Sequence, residues 1–210
     1  FEKSIRLGIR KDGKRLYPAM PYPSYAKIST KDIEDLYNYF MHGVDAINEK
    51  NKPSEIPWYL SPRWPLMIWN AFFFDDDFYQ ADTNYNDEWN RGAYLIQGMG
   101  HCGACHTPRG IAWNEKAFDH YSIHYLAGAF LDNWYASDLT QSNRSGLGRW
   151  SKNDLVNYLK DGRNKHATAF GTMDEVILNS TQYAHDDDLR AMATYLLSLQ
   201  AAYDQDEYLY

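Results

Sequence analysis

Both cysteines of this 210-residue chain lie in one short stretch, GMGHCGACHTPRG at residues 98–110, with His106 directly after the second. Two cysteines three positions apart are too few for a disulfide framework, and Cys102-x-x-Cys105 serves three chemistries: a redox disulfide, half of a zinc site, or covalent haem attachment. The surrounding residues must choose among them.

A thioredoxin-like disulfide follows a strand in a strand–helix–strand unit. Here the preceding stretch NDEWNRGAYLIQGMG predicts a helix, with Trp89, Ala93 and Ile96 on one face. Zinc has the spacing in its favour, because Cys102-x2-Cys105 is followed by His120-x3-His124. The intervening HTPRGIAWNEKAFD lacks the hairpin-and-helix pattern of a zinc finger, and the His-x-Glu arrangement of zinc deaminases is absent. A zinc interaction module remains the competing reading, with His120 and His124 as plain loop residues otherwise.

Haem attachment uses more residues at once. Two thioether bonds need cysteines on one turn, here Cys102 and Cys105, and the adjacent His106 then faces the iron. A sixth ligand must come from far along the chain. Met173 falls between two predicted helices, with His124, His166 and His185 as rivals. Methionine opposite histidine raises the reduction potential, which suits an electron carrier.

Periodicity elsewhere predicts an all-α chain with long loops. TKDIEDLYNYFMHGV places Ile33, Leu36, Tyr37 and Phe40 on one face behind a Ser29/Thr30 cap. SKNDLVNYLKDG begins at Ser151, has Asp154 in the reciprocal capping position and ends at Gly162. DDDLRAMATYLLSLQ carries Leu189, Met192, Ala193 and Leu196 as a stripe behind three aspartates that favour a helix start. No stretch alternates long enough to predict a strand.

The order of features repeats. Gly162, a basic loop, Met173 and the Leu189 helix are matched upstream by Gly8, the loop IRKDGKRLYPAM ending at Met20, and the Ile33 helix. Glycine and methionine are 11 positions apart in one copy and 12 in the other. The upstream copy holds Met20, and no histidine, in the place of Met173. This predicts residues 1–45 as the C-terminal half of a domain whose cysteine motif is absent. Residues 46–85, rich in proline and aromatics, are expected as a linker and 86–202 as one complete domain.

Charge and composition narrow the partners. A net charge of −7 argues against nucleic acid and anionic membrane surfaces as partners. The longest apolar run, Trp64 to Phe74, is 11 residues, too short to span a bilayer, and the start, FEKSIRLG, has no signal-peptide pattern. Asp75 to Asp77 read as a solvated turn. No nucleophile–base pair or cluster of catalytic acids is visible, so no catalytic site is expected.

RGAYLIQGMGHCGACHTPRG, together with residues 128–199 from GAFLDNWYASDLT to ATYLLSL, closely resembles the multi-haem cytochrome c subunits of bacterial membrane-bound dehydrogenases. These serve alcohol, gluconate, sorbitol, fructose and glucose dehydrogenases built on PQQ or FAD. RLYPAMPYPSYAKIST and RWPLMIWN resemble the end of a preceding haem domain and its linker. The resemblance implies a class I cytochrome c-like fold, with haem c bonded to Cys102 and Cys105, His106 as proximal ligand and Met173 as distal ligand. It implies that the Pro108 carbonyl accepts from the His106 imidazole, that Arg109 and Trp134 meet the haem propionates, and that Met20 is the distal ligand of a further haem. It implies close crossing of the helices at Gly92–Tyr94 and Tyr195. The implied role is electron transfer from a dehydrogenase catalytic subunit toward quinone, a terminal oxidase or another acceptor, in the periplasm and peripheral to the inner membrane. A haem domain fused to a catalytic quinohaemoprotein is the alternative. Family members usually carry three haem domains, a signal peptide and often a membrane-binding tail, so the chain is expected to be a fragment. Ser137 stands where the family commonly has proline.

Overall fold

The structure, a computed structural model, describes residues 1–53, 55–131 and 133–202. It divides into two compact units, Phe1–Tyr79 and Gln80–Tyr210.

In the first unit, α1 (Glu2–Leu7) ends at Gly8, whose φ of 60° and ψ of 33° suit the one residue without a Cβ. The chain loops through an Ile9↔Arg15 bridge, and Leu16 N–H returns to the Gly8 carbonyl at 2.7 Å. Met20 precedes the single turn α2 (Tyr22–Tyr25), and α3 (Thr30–Asn38) comes after it behind Ser29, whose side chain accepts from Asp32 N–H. Residues 39–43 continue α3 as a π-turn.

The residues expected to link the units fold back onto the first one. In α4 (Pro65–Phe73), Asn70 Oδ1 accepts from the buried Tyr22 hydroxyl at 2.6 Å. Phe74 packs edge-on against the Tyr22 ring, 5.2 Å between centroids. The guanidinium of the buried Arg6 donates to the Ala26 carbonyl and lies 3.6 Å from the centre of the Phe78 ring. Tyr79 N–H donates to the Lys27 carbonyl.

The second unit is built on two crossing helices. α5 (Asp87–Tyr94) is capped by Asn86 and runs into a π-turn at Leu95–Met99, then into the single turn α6 (Gly103–His106). The all-α expectation is corrected after it. β1 (Ala129–Leu131) and β2 (Trp134–Ala136) pair antiparallel, with Ala129 opposite Ala136 and Leu131 opposite Trp134. Three-residue strands are too short to display alternation, which is why periodicity missed them. Asn133 turns the hairpin at φ 66°, a conformation asparagine tolerates.

α7 (Lys152–Asp161) starts with the reciprocal Ser151/Asp154 cap and ends at Gly162, φ 73°. An Arg163↔Thr168 bridge comes next, and Ala169 N–H returns to the Gly162 carbonyl at 2.7 Å, as Leu16 does to Gly8. The chain continues through α8 (Thr172–Asn179) and α9 (Asp186–Leu196). Met173, expected on a loop, lies in the first turn of α8. α9 buries Leu189, Ala193, Tyr195 and Leu196, with α5 as its main partner. A methyl group at Gly92 would sit 2.0 Å from the Ala191 carbonyl oxygen, so only glycine permits that approach. Arg91 closes the crossing with paired bonds to the Asp188 carboxylate at 2.7 and 2.9 Å. Among the described residues no helix is long and apolar enough to cross a membrane.

Candidate functional site

The π-turn at Leu95–Met99 widens the end of α5 before the cysteine motif, a device common at functional sites. His101 takes a positive φ of 38°, and the chain then closes the turn from Cys102 to His106. Cys105 N–H and His106 N–H both return to the Cys102 carbonyl, at 3.2 and 2.9 Å. The two thiols are unbridged, Cys105 exposed and Cys102 half-buried, with burial pushing the Cys102 thiol up to about 12.

Two braces hold this turn. Arg109 donates to the carbonyls of Ala104 and Trp113 and lies 3.8 Å from the buried Glu115 carboxylate. Glu115 in turn presses on the backbone of Gly103, where a Cβ would meet its Oε2 at 2.6 Å. The Arg109 guanidinium thus steadies the motif itself. On the other side, the buried Thr107 hydroxyl accepts from Leu126 N–H at 3.0 Å, and Gly128 N–H donates to the His106 carbonyl at 2.8 Å. These bonds seat the β1–β2 hairpin against α6.

The hairpin delivers the partner of His106. Its Nδ1 lies 2.7 Å from the Ser137 carbonyl. A carbonyl can only accept, so Nδ1 carries the proton and Nε2 keeps its lone pair. Burial lowers the imidazole pKa, against the opposing pull of Ser137 and Asp138, so the ring stays neutral and fit to ligate a metal. The carbonyl expected from Pro108 is elsewhere: it accepts from Lys116 N–H at 3.0 Å. Pro108 is drawn into the loop closed by the Arg109↔Glu115 bridge, while Ser137, 31 residues from His106, is carried in at the end of β2.

The other end of β2 reaches the segment that leads into α8. The Trp134 ring lies 5.6 Å from that of Phe170 and 3.4 Å from where a Cβ of Gly171 would be, two residues before Met173. One three-residue strand therefore stands between His106 and the start of α8. Trp134 and Phe170 remain well exposed despite this contact. Two cysteines without a disulfide on one turn, a neutral imidazole with an available Nε2 and uncovered aromatic faces together fit a flat, apolar, thioether-bonded haem.

The zinc arrangement does not assemble. Among the described residues the one convergent group of potential ligands is Asp75, Asp76 and Asp77, without Cys102, Cys105, His120 or His124. His120 belongs to an aromatic cluster, 4.9 Å from Trp89 and 4.1 Å from Tyr121 between ring centroids, with Nε2 3.8 Å from Asp82. Of the rival axial histidines, His166 stacks on Trp150 and lies 3.4 Å from Asp154, and His185 forms the N-terminal boundary of α9. In the first unit, Met20 is half-buried, its amide bonded to the Tyr17 carbonyl.

A cysteine turn with a neutral histidine and an open aromatic flank defines a c-type haem protein as the class to test, and comparison with known proteins agrees. No family model matches the chain. The gluconate 2-dehydrogenase cytochrome c subunit of Pantoea cypripedii is 51% identical over 96% of this chain and 46% of its own length. The cytochrome c subunit of the quinone alcohol dehydrogenase of Gluconobacter oxydans is 49% identical over 96% of the chain and 43% of its length. The fructose dehydrogenase cytochrome subunit of Gluconobacter japonicus is 43% identical over 96% and 40%. The chain is a homologue of the cytochrome c subunits of dehydrogenase complexes, and it spans a little under half their length.

Proposed function

We propose that this chain is the part of an electron-transfer subunit that carries one covalent haem c, serves a periplasmic dehydrogenase and has no catalytic site of its own. The observation that carries this is the His106–Ser137 contact at 2.7 Å beside Cys102 and Cys105 on one turn, in a homologue of cytochrome c subunits. A haem bound there supplies one-electron exchange. Cys102 and Cys105 anchor it through thioether bonds. His106 ligates through Nε2, held in orientation by the Ser137 carbonyl, which also raises the basicity of the ring. Met173 is the distal ligand, and Trp134 and Phe170 keep water from one flank.

The first unit is the C-terminal half of a second such domain, with Met20 as the distal ligand of its haem. Electrons arrive from a flavin or PQQ subunit and leave toward quinone or another acceptor, at the periplasmic face of the inner membrane. Relatives named for gluconate, alcohol and fructose dehydrogenases support the dehydrogenase partner.

Replacing each methionine by alanine in turn tests the ligand assignment. Met173→Ala should lower the reduction potential, on the roughly 0.8 V scale that axial ligands span, and admit small ligands at the sixth site. Met20→Ala should change neither in this chain. An unchanged potential and spectrum in Met173→Ala would remove Met173 from the site.

A further inference from the structure

Glu115 is buried against the cysteine turn, its side chain 7% exposed. Burying a carboxylate is costly unless a cation and hydrogen-bond donors meet it, and even then a buried ion pair is a poor source of stability. The fold nevertheless sets this one against the backbone between Cys102 and Cys105. A Cβ on Gly103 would lie 2.6 Å from Glu115 Oε2, whereas its next neighbours, Thr107 Oγ1 and Tyr125 Cε2, would stand at 3.3 and 3.6 Å. Gly103 opens the helical turn α6 without a positive φ. Alanine suits such a backbone better than glycine does. The carboxylate, and not the backbone, therefore requires glycine at this position.

The loop that follows the motif holds the carboxylate there. Arg109 and Glu115 face each other across an antiparallel bridge, and inside it Gly110 N–H donates to the Asn114 carbonyl at 2.8 Å. The Arg109 guanidinium lies 3.8 Å from Glu115 Oε1 and also donates to the Ala104 carbonyl. Gly103 and Ala104 are the two residues between the cysteines. One member of the ion pair presses on the first, and the other member bonds the second.

We propose that Glu115 is a positioning residue for the covalent haem. Together with Arg109 it fixes Gly103 and Ala104, and so the turn that presents Cys102, Cys105 and His106, and its negative charge holds the reduction potential down. The proposal rests on the haem reading above. Ferric haem carries one more positive charge than ferrous haem, so an anion in the low-dielectric interior favours the ferric state.

The test uses the purified haem-loaded chain. It reads the reduction potential and the amide hydrogen exchange of Cys105 and His106, whose N–H groups bond the Cys102 carbonyl. Glu115→Gln keeps the shape of the side chain and removes its charge. The potential should rise and exchange at the two amides should quicken about tenfold, as expected for losing one charged contact, with helix content unchanged. A merely structural role would not give a shift in potential of that sign. Gly103→Ala should quicken the same amides, and adding Glu115→Ala should slow them again, because the methyl group then takes the space of the carboxylate. This second pair reads the contact even where Glu115→Gln does not fold.

A wild-type potential or exchange rate in Glu115→Gln, or a lowered potential, would overturn the proposal. So would Gly103→Ala exchanging like wild type, or a double variant exchanging as fast as Gly103→Ala alone. A haem-bearing chain in which these variants behave as wild type would refute the positioning role and leave the haem assignment standing. A chain purified without haem, in which Gly103→Ala and its suppressor still behave as expected, would support the grip on the turn and refute the haem assignment.

Discussion

The two units run through the same sequence of devices and end differently. Each has a helix closed by a left-handed glycine, a loop whose backbone returns to that glycine's carbonyl at 2.7 Å, a methionine, and then a longer helix. Aligned on Asp32-Ile33 and Asp188-Leu189, α3 and α9 share a buried apolar residue near the start: Ile33 is 3% exposed and Leu189 is fully buried. One to two turns later they part. Tyr195 is fully buried and Leu196 is 3% exposed, while the matching Tyr39 and Phe40 are 60% and 53% exposed. In the second unit α5 covers that face, with Gly92 allowing the approach. In the first unit only the Phe1 ring approaches it among the described residues, 6.2 Å from that of Phe40, and the face stays largely open. The same helix pattern is thus a core element where a glycine-bearing helix covers it and an open face where the described residues leave it uncovered.

The contrast can be broken most forcefully at its aromatic pair. Tyr195→Ala removes a buried ring and its bond from Gln97, and should cost about 3–5 kcal/mol. Tyr39→Ala should stay within about 0.5 kcal/mol. Urea denaturation of the two variants checks this, and equal losses would contradict the comparison. Next comes the crossing itself. Gly92→Ala drives a methyl group into the Ala191 carbonyl and should destabilise by about 1–3 kcal/mol from overpacking, read as a lowered Tm. A neutral effect would mean that α5 and α9 separate more readily than their packing indicates.

The smallest effect is electrostatic. The bond from Arg91 holds the Asp188 carboxyl below its ordinary value. A depressed folded-state pKa gives stability that is present above the usual carboxylate range and lost as pH falls through the folded value. Arg91→Ala should therefore lower stability near neutral pH by no more than about 1 kcal/mol, and the difference from wild type should shrink under acid. Denaturation midpoints at neutral and acid pH measure it, and a difference that grows under acid would contradict it.

Much of this was legible in the sequence where the signal is local. The reciprocal cap at Ser151 and Asp154, the glycine stops at Gly8 and Gly162, and the cysteine turn all depend on residues a few positions apart. The close crossing at Gly92 was expected from the resemblance to dehydrogenase cytochrome subunits, and the missing Cβ is what allows it. The hairpin at 129–136 was not, since two three-residue strands carry no periodicity. Nor was the partner of His106. Any residue can offer a backbone carbonyl, so nothing in the chemistry of Ser137 marks it, and its place depends on Thr107 and Gly128 seating the hairpin. The placement of α4 was hidden for a related reason. Asn70 reads as a polar interruption in an apolar run until its bond to the Tyr22 hydroxyl is seen.

The intact mass of the chain under denaturing conditions, together with the mass of the peptide containing residues 98–110, tests the central claim most directly. One haem adduct, carried on Cys102 and Cys105, is the predicted result, with the first unit contributing none. A bare polypeptide mass from cells competent in haem attachment would contradict the electron-transfer account at its root.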